Sequence, residues 1–434
     1  MEIWALVMFG VLFLFLLLGY PVAFTLGAVA LGFGSFFLGL DFFNLLPLRI
    51  WGIMTNFTLL AVPLFVFMGV ILEKSGIAEE LLETMGLLFG RVRGGLAISV
   101  VIVGALLAAT TGVVGASVVT MAVIALPAML KRGYSPALAS GTIAASGTLG
   151  QIIPPSIILI LLADVVGVPV GELFMAAAVP GIMLVLSYML YIGFIAWRHP
   201  ELAPAIEAEE NTSHLALKVI KSLLPPLLLI IAVLGSIFFG IASPTESAAV
   251  GCLGAILLAL IHNKLTFSNF QLALQQTTRL TSMVFLILVG ATAFGLVFVG
   301  MGGDNLIFDI FSDLPGGKWT FLIVSMLLIF ILGFFLDFIE ICFIVVPIIA
   351  PVAIHLGLNP LWFALLIALN LQTSFLTPPF GFSLFYLKAS APSLELTTIY
   401  RGVIPFIVIQ VIILALLISF PSIALWLPSL MEKG

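Results

Sequence analysis

Apolar runs about one bilayer long recur through the chain, separated by short turns and a few charges. The first covers residues 3–18 and the second 22–40, with Gly19-Tyr20-Pro21 between them. A third covers 57–72, after a loop carrying Asp41 and Arg49. Each is close to the ~20 residues that cross a hydrocarbon core as a helix. Residues 73–93 differ. Ile77, Leu81, Leu82, Met85 and Leu88 recur at helical spacing, with Glu79, Glu80 and Glu83 elsewhere on the surface. That pattern predicts an amphipathic helix at the membrane interface. Further spans are predicted at 173–197, 223–241, 245–261, 282–300 and 403–427, with a polar loop at 198–221 and a second interfacial piece at 304–318.

Two stretches break this rhythm. Residues 94–130 carry no charge, are too long for one span and short for two, and are interrupted by T-T-G-V-V-G at 110–115. Arg91 and Arg93 precede them, and Lys131 and Arg132 follow. Positive charge concentrates on the cytoplasmic side, so both ends are expected there. The stretch then reads as a re-entrant hairpin with a polar tip near mid-membrane, where irregular backbone survives only inside protein or beside water. The next span, 136–163, contains S-G-T-L-G-Q-I-I-P-P-S at 146–156. Its glycines and double proline cannot sustain a continuous helix.

Both features recur. Adding 224 to the broken stretch reaches N-L-Q-T-S-F-L-T-P-P-F at 370–380, within a predicted span at 361–387. Apolar residues 319–354 match the hairpin in length, with Gly333, Asp337 and Glu340 near their centre. Pro127 and Pro351, Gly133 and Gly357, Pro136 and Pro360, Pro154 and Pro378, and Pro155 and Pro379 all differ by 224. The reading is an all-α polytopic membrane protein of two repeats, each with five crossings and one hairpin. An odd number of crossings per repeat inverts the second. Charge agrees: with the first hairpin opening inward, twelve Lys and Arg fall inside and only Arg49, Lys318 and Lys433 outside. Both termini are then periplasmic. The expected divisions are scaffold spans with an arm helix (1–93), a hairpin and broken helix (94–165), and a connecting span and cytoplasmic loop (166–222). Second scaffold spans with an arm (223–318), a second hairpin and broken helix (319–387) and a C-terminal span (388–434) follow.

Composition narrows the function. The chain is 62% hydrophobic and 8% charged, where soluble proteins carry about a quarter charged residues. The N-terminus has no basic residue before its apolar run, which reads as a retained span and not a cleaved signal. Cys252 and Cys342 both fall in apolar segments and read as small core residues. The four histidines lie in or beside loops without ligand spacing, and no phosphate-binding loop occurs. Neither ATP, a cofactor, catalysis nor a nucleic-acid partner is expected.

Paired broken helices at corresponding positions point to a solute and ion site. An interrupted helix offers carbonyls at one end and N–H groups at the other. Thr110, Thr111, Ser117, Ser146 and Thr148 can add oxygens in the first repeat, and Asn370, Gln372, Thr373, Ser374 and Thr377 in the second. Oxygen ligands suit a hard cation such as sodium. For any single hydroxyl the alternative is a bond back to its own helix. Asp337 is the sharpest residue, because an acid within a membrane segment is costly. It reads as a cation ligand, a proton carrier or a cap for the hairpin tip, and Glu340 one turn on shares that role or points elsewhere. Glu246 reads as a charge at a helix N-terminus, and Asp164 as a solvated residue near a span end.

The segments L-P-A-M-L-K-R-G-Y (126–134), G-T-L-G-Q-I-I-P-P-S (147–156), S-P-T-E-S-A-A-V (243–250) and L-D-F-I-E-I-C-F-I-V-V-P-I-I-A-P (336–351) resemble the large membrane subunit of tripartite ATP-independent periplasmic (TRAP) transporters. The resemblance spans essentially the whole chain. It implies a fold like the ion transporter superfamily, with an elevator domain carrying solute, and sodium-coupled uptake through the bacterial inner membrane. Implied partners are a small four-helix membrane subunit and a periplasmic substrate-binding protein. Implied solutes are small organic acids such as C4-dicarboxylates, sialic acid, keto acids and aromatic acids. One implied sodium site is framed by Thr110, Thr111, Gly112, Gly115, Ser117, Ser146 and Gly147, and another by Gly333, Asp337, Gln372, Thr373 and Ser374. The solute would lie between them, near Thr148, Pro154, Pro155, Ser156, Thr377, Pro378 and Pro379. The tip T-T-G-V-V-G-A-S has fewer serines than the Gly-Ser-rich form common in that family. A one-component sodium–anion symporter is the alternative within transport; a membrane-embedded enzyme and a channel are the alternatives outside it.

Overall fold

The computed structural model describes residues 1–111, 114–205, 215–312 and 315–431. Every regular element among them is helical, as an open chain in lipid requires, because each backbone polar group must be paired within its own segment. The order is α1 (Glu2–Leu17), α2 (Val22–Phe37), α3 (Leu46–Met54), α4 (Ala61–Lys74), α5 (Ile77–Phe89), α6 (Gly95–Thr111) and α7 (Val114–Lys131). There follow α8 (Pro136–Thr148), α9 (Ile157–Val166), α10 (Val170–Arg198), α11 (Leu215–Phe238), α12 (Pro244–Ile261), α13 (Phe267–Gly300) and α14 (Gly303–Ser312). The rest are α15 (Gly317–Leu332), α16 (Phe338–Ile344), α17 (Val346–His355), α18 (Pro360–Leu376), α19 (Phe382–Ser390), α20 (Leu396–Ser419) and α21 (Ser422–Met431).

Among the described residues, six helices are long and apolar enough to cross a membrane, or up to eight if two bent pairs each count as one span. The other predicted crossings coincide with shorter apolar helices or with helices in two pieces. Some boundaries differ from expectation. The loop after α2 contains α3. Helix α13 begins at Phe267 and absorbs Arg279. The last run splits at Pro421, where proline cannot continue the preceding helix. The first interfacial helix is α5, and it buries Ile77, Leu81, Leu82 and Met85 but leaves Leu88 outside.

The two repeats correspond closely. Helix α7 spans the same register, shifted by 224, as α16 and α17 together, which are bent by 54° at Val345. Gly133 and Gly357 both take positive φ, at 80° and 78°, in the turn before α8 and α18. Both proline pairs contain a cis peptide bond. The repeats are also intertwined. Helix α9 packs on α16 and α17 of the second hairpin, while α19 packs on α7 of the first. Helix α8 crosses α20 with backbones in contact: a Cβ on Gly141 would fall on the Gly402 carbonyl, and one on Gly402 would fall on the Ala137 carbonyl. Helices α8 and α18 are buried on nearly every face, which places the polar residues of both broken stretches in the protein interior.

Candidate ion and solute site

Local sequence sets the two breaks. Helix α8 ends at Thr148, tightens through a 3-10 turn at Leu149–Gln151 and stops before the Pro154-Pro155 pair; α9 restarts after Ser156. Helix α18 ends at Leu376 with Thr377 as its cap, and α19 restarts after Gly381 beyond Pro378-Pro379. Proline removes a donor and clashes with the preceding turn, so neither helix can run through. Each break leaves a carbonyl end and an N–H end inside the protein.

Five hydroxyls beside these ends donate back to their own helices. Ser146 Oγ donates to Ile143 O at 3.1 Å and Thr148 Oγ1 to Ala145 O at 2.8 Å. Thr373 Oγ1 donates to Leu369 O at 2.8 Å, Ser374 Oγ to Leu371 O at 2.9 Å and Thr377 Oγ1 to Thr373 O at 2.7 Å. This commits the proton of each hydroxyl and leaves its lone pairs. A back-bond and cation ligation are therefore compatible, because a cation needs only the lone pairs. Asn370 Nδ2 donates to Met326 O at 2.7 Å and ties α18 to α15. Ser156 Oγ donates to Gln151 O at 3.1 Å, across the first break.

Glycines decide which of the predicted residues meet. A Cβ on Gly147 would press on Val118 of α7, the neighbour of buried Ser117. A Cβ on Gly104 would stand 2.6 Å from Ser146 Cβ. Both arms of the first hairpin thus close on the Ser146-Gly147 pair. At the other end Gly333 abuts Ser374. Gly115 instead lies 2.9 Å, by its missing Cβ, from the ring of Tyr386 on α19, so it meets the second repeat. Thr110 and Thr111 close α6, and Gly112 lies outside the described residues.

Asp337 is the N-cap of α16. Its Oδ1 accepts from Phe338 N at 2.7 Å, and Glu340 Oε2 accepts from Asp337 N at 3.1 Å. Glu340 therefore points back at the tip and closes a capping box. Glu246 does the same for α12, accepting from Ser243 N at 2.8 Å. The burial of the breaks is unequal. Pro154, Pro155 and Ser156 are buried, Thr377 and Pro378 half-buried, and Pro379 and Phe380 exposed. Phe334 and Phe335, at the second tip, reach the Phe380 ring at 6.5 and 5.6 Å. No group of three or more His, Cys, Asp or Glu side chains suited to a metal occurs among the described residues; the oxygens at the breaks are hydroxyls, amides and carbonyls.

Three features were not read from sequence. Asp164 is not simply solvated: its Oδ1 accepts from Asn56 Nδ2 at 2.6 Å, which joins α9 to the turn before α4. A cavity of about 480 Å³ opens beside it, with Arg49 and Thr292 on its wall, between α3 and α13 on one side and α9, α16 and α17 on the other. Gln151, in the turn at the first break, is fully buried and neither atom of its amide has a partner. Gln372 shares both properties. A polar residue inside an apolar run was visible in the sequence; its lack of partners was not.

Residues 9–423 match the family described as tripartite ATP-independent periplasmic transporter, DctM component. The chain is 32% identical over 414 residues to the sialic acid TRAP transporter large permease protein SiaM of Vibrio cholerae, covering 95% of each. It is 31% identical over 385 residues to the C4-dicarboxylate TRAP transporter large permease protein DctM of Pseudomonas aeruginosa, covering 88% of this chain and 89% of that one. Among solved structures it is similar to the YdaH transporter of Alcanivorax borkumensis, with a TM-score of 0.62 at 14% identity over 89% of this chain and 90% of the other, a likeness of fold.

Proposed function

Because the chain belongs to the DctM-component family of TRAP transporters, we propose that it carries a small organic acid into the cell, coupled to sodium and working in the bacterial inner membrane. The observation that carries this reading is the set of hydroxyls at the two helix breaks, each with its proton committed to its own helix, which leaves its lone pairs for a cation. Ser146, Gly147 and Ser117 with the tip at Thr110, Thr111, Gly112 and Gly115 hold one sodium ion. Gly333, Asp337, Gln372, Thr373 and Ser374 hold another. The solute carboxylate lies between them, at Thr148, Pro154, Pro155 and Ser156 on one side and Thr377, Pro378 and Pro379 on the other. Its charge is met by sodium and by helix N-termini.

The two hairpins and two broken helices move together, as an elevator, against the remaining spans. The repeats have opposite orientation in the bilayer, with both termini periplasmic. Sodium orders the hairpin tips, so the solute binds well only when sodium is present; only such differential binding can shift the populations. A separate small membrane subunit and a periplasmic binding protein complete the system. The relatives named for C4-dicarboxylates and sialic acid both carry carboxylates, which supports the solute class.

The test is uptake in proteoliposomes with an imposed sodium gradient and a panel of labelled organic acids, with and without the products of neighbouring genes. Sodium-driven uptake only with both partners present is the expected result. Uptake by the chain alone would assign it to one-component symport, and uptake indifferent to sodium would overturn the ion assignment.

A further inference from the structure

Among the described residues, Gln151 and Gln372 are the two buried glutamines whose whole polar end lacks a partner: neither Oε1 nor Nε2 is hydrogen-bonded in either, and both are 0% exposed. Gln410, also buried, differs, since its Nε2 donates to Tyr188 OH at 2.8 Å. A buried amide left unmatched is costly for each orphaned group, so an occupant that pairs with both atoms is favoured. Gln372 stays with the ion set assigned above, where sodium on Oε1 and the solute carboxylate on Nε2 can serve it together, whereas Gln151 belongs to neither ion set. Gln151 ends the 3-10 turn three residues before Pro154, and this turn packs against both arms of the first hairpin and against α18.

The chemistry of the amide limits what it can read. A sodium ion would satisfy Oε1 and leave Nε2 orphaned. A carboxylate would satisfy Nε2 and leave Oε1 orphaned. A hydroxyl or amide group both donates and accepts, and can serve both atoms. We propose that Gln151 is a specificity-determining residue that selects, among small carboxylates, those bearing a hydroxyl or amide substituent. This rests on the reading of the broken helices as a carboxylate site. The buried polar side chains of α8, α9 and α18 are all neutral, so selection there acts through hydrogen bonds, and a site built to bond a solute hydroxyl rejects the analogue lacking it far more strongly than an apolar pocket discriminates by size.

The experiment is thermal unfolding of the purified full chain in detergent with sodium, titrated with two matched pairs, malate against succinate and lactate against propionate. Within each pair the second member lacks only the hydroxyl. The hydroxylated member of at least one pair is expected to bind about tenfold or more tightly. Gln151→Met, close in volume and without either hydrogen-bonding atom, is expected to reduce that ratio to within about twofold and to leave the half-saturating sodium concentration unchanged. A shifted sodium requirement with an unmoved ratio would make Gln151 an ion ligand and overturn the proposal. An unmoved ratio and unmoved sodium requirement would leave only a buried water on the amide, and would also overturn it. Should Gln151→Met not fold, the wild-type ratio decides, and a value within about twofold for both pairs is fatal. Absence of stabilisation by any of the four acids or by the rest of the organic-acid panel sinks the carboxylate site itself, a distinct outcome.

Discussion

Gly333 and Ser374 touch where the second hairpin tip meets the second broken helix. A Cβ on Gly333 would overlap Ser374 Oγ and stand 2.9 Å from Ser374 Cβ. The tip can close on the helix only because position 333 has no side chain. Gly333→Ala is expected to cost about 1–3 kcal/mol of overpacking in the closed tip. Sodium-driven uptake should fall by at least about fivefold while the protein still reaches the membrane. Gly333→Ala combined with Ser374→Gly should restore packing, measured by thermal stability, without restoring the wild-type sodium affinity. Recovery of both would mean that Ser374 contributes packing and no ion contact.

Removing hydroxyls tests the ion sets directly. Ser146→Ala and Thr373→Val each delete one oxygen and keep most of the side-chain volume. Each should raise the sodium concentration for half-maximal uptake by about tenfold, near 1.4 kcal/mol. Ser140→Ala is the control. Its Oγ donates back to Ala137 O at 3.1 Å in the same way, but it lies two turns before the break, and sodium dependence should not move. Equal behaviour of all three would reduce the hydroxyls to helix back-bonds.

The hydrogen bond from Asn56 to Asp164 crosses from the turn before α4 to α9. If α9 travels with the hairpins, this contact cannot persist through the cycle. Asn56→Cys with Asp164→Cys, bridged by a short thiol cross-linker, is therefore expected to abolish uptake, and cleavage of the bridge to restore it. Cys252 and Cys342 are buried and are replaced by Ala as background. Full uptake with the bridge in place would show that α9 and α4 do not move apart.

Backbone contact between α8 and α20 makes Gly141 and Gly402 intolerant positions. Each has a partner carbonyl where a Cβ would go, and a backbone atom cannot rotate aside. Gly402→Ala should destabilise by at least about 3 kcal/mol and lower the yield of folded protein. Gly10→Ala, with nothing within 4 Å of the added Cβ, should leave unfolding temperature and yield unchanged.

The hairpins, the breaks and the repeat were legible because their signals are local. A proline pair ends a helix whatever surrounds it, and an uncharged run has a length that fits one, two or neither span. The landmarks from Pro127 to Pro155 needed only subtraction. Asp337 was half legible: an acid at mid-segment stood out, and its capping of α16 was among its readings, but that Glu340 turns back to Asp337 N depends on a helix starting at Phe338. The sequence does not show that Asp164 pairs with Asn56, because the two lie 108 residues apart. The sequence also does not show that Gly115 meets Tyr386, not Ser146. Such pairings are set by how helices dock, and no local period encodes them. The bend at Val345 and the short α3 escaped for a related reason, since apolar runs look alike whether straight, bent or in two pieces.

The interleaving of the repeats has a consequence for biosynthesis. Helix α9 is covered by the second hairpin, and the first hairpin by α19, so neither half closes its own core. The chain runs 181 positions from Ile157 of α9 to Phe338 of its cover, and 268 from Val114 of α7 to Phe382 of its own. At about 5–20 residues added per second, the first hairpin and broken helix leave the ribosome roughly 10–55 s before their covers exist. Throughout that interval an uncharged re-entrant loop and a helix interrupted by two prolines must be held in or near the bilayer with their polar groups unpaired by the rest of the protein. The insertion machinery, or a neighbouring subunit already in place, has to shelter them. An mRNA that pauses translation between the halves would lengthen that exposure, and production of the protein should depend on it more steeply than on any single substitution at the surface.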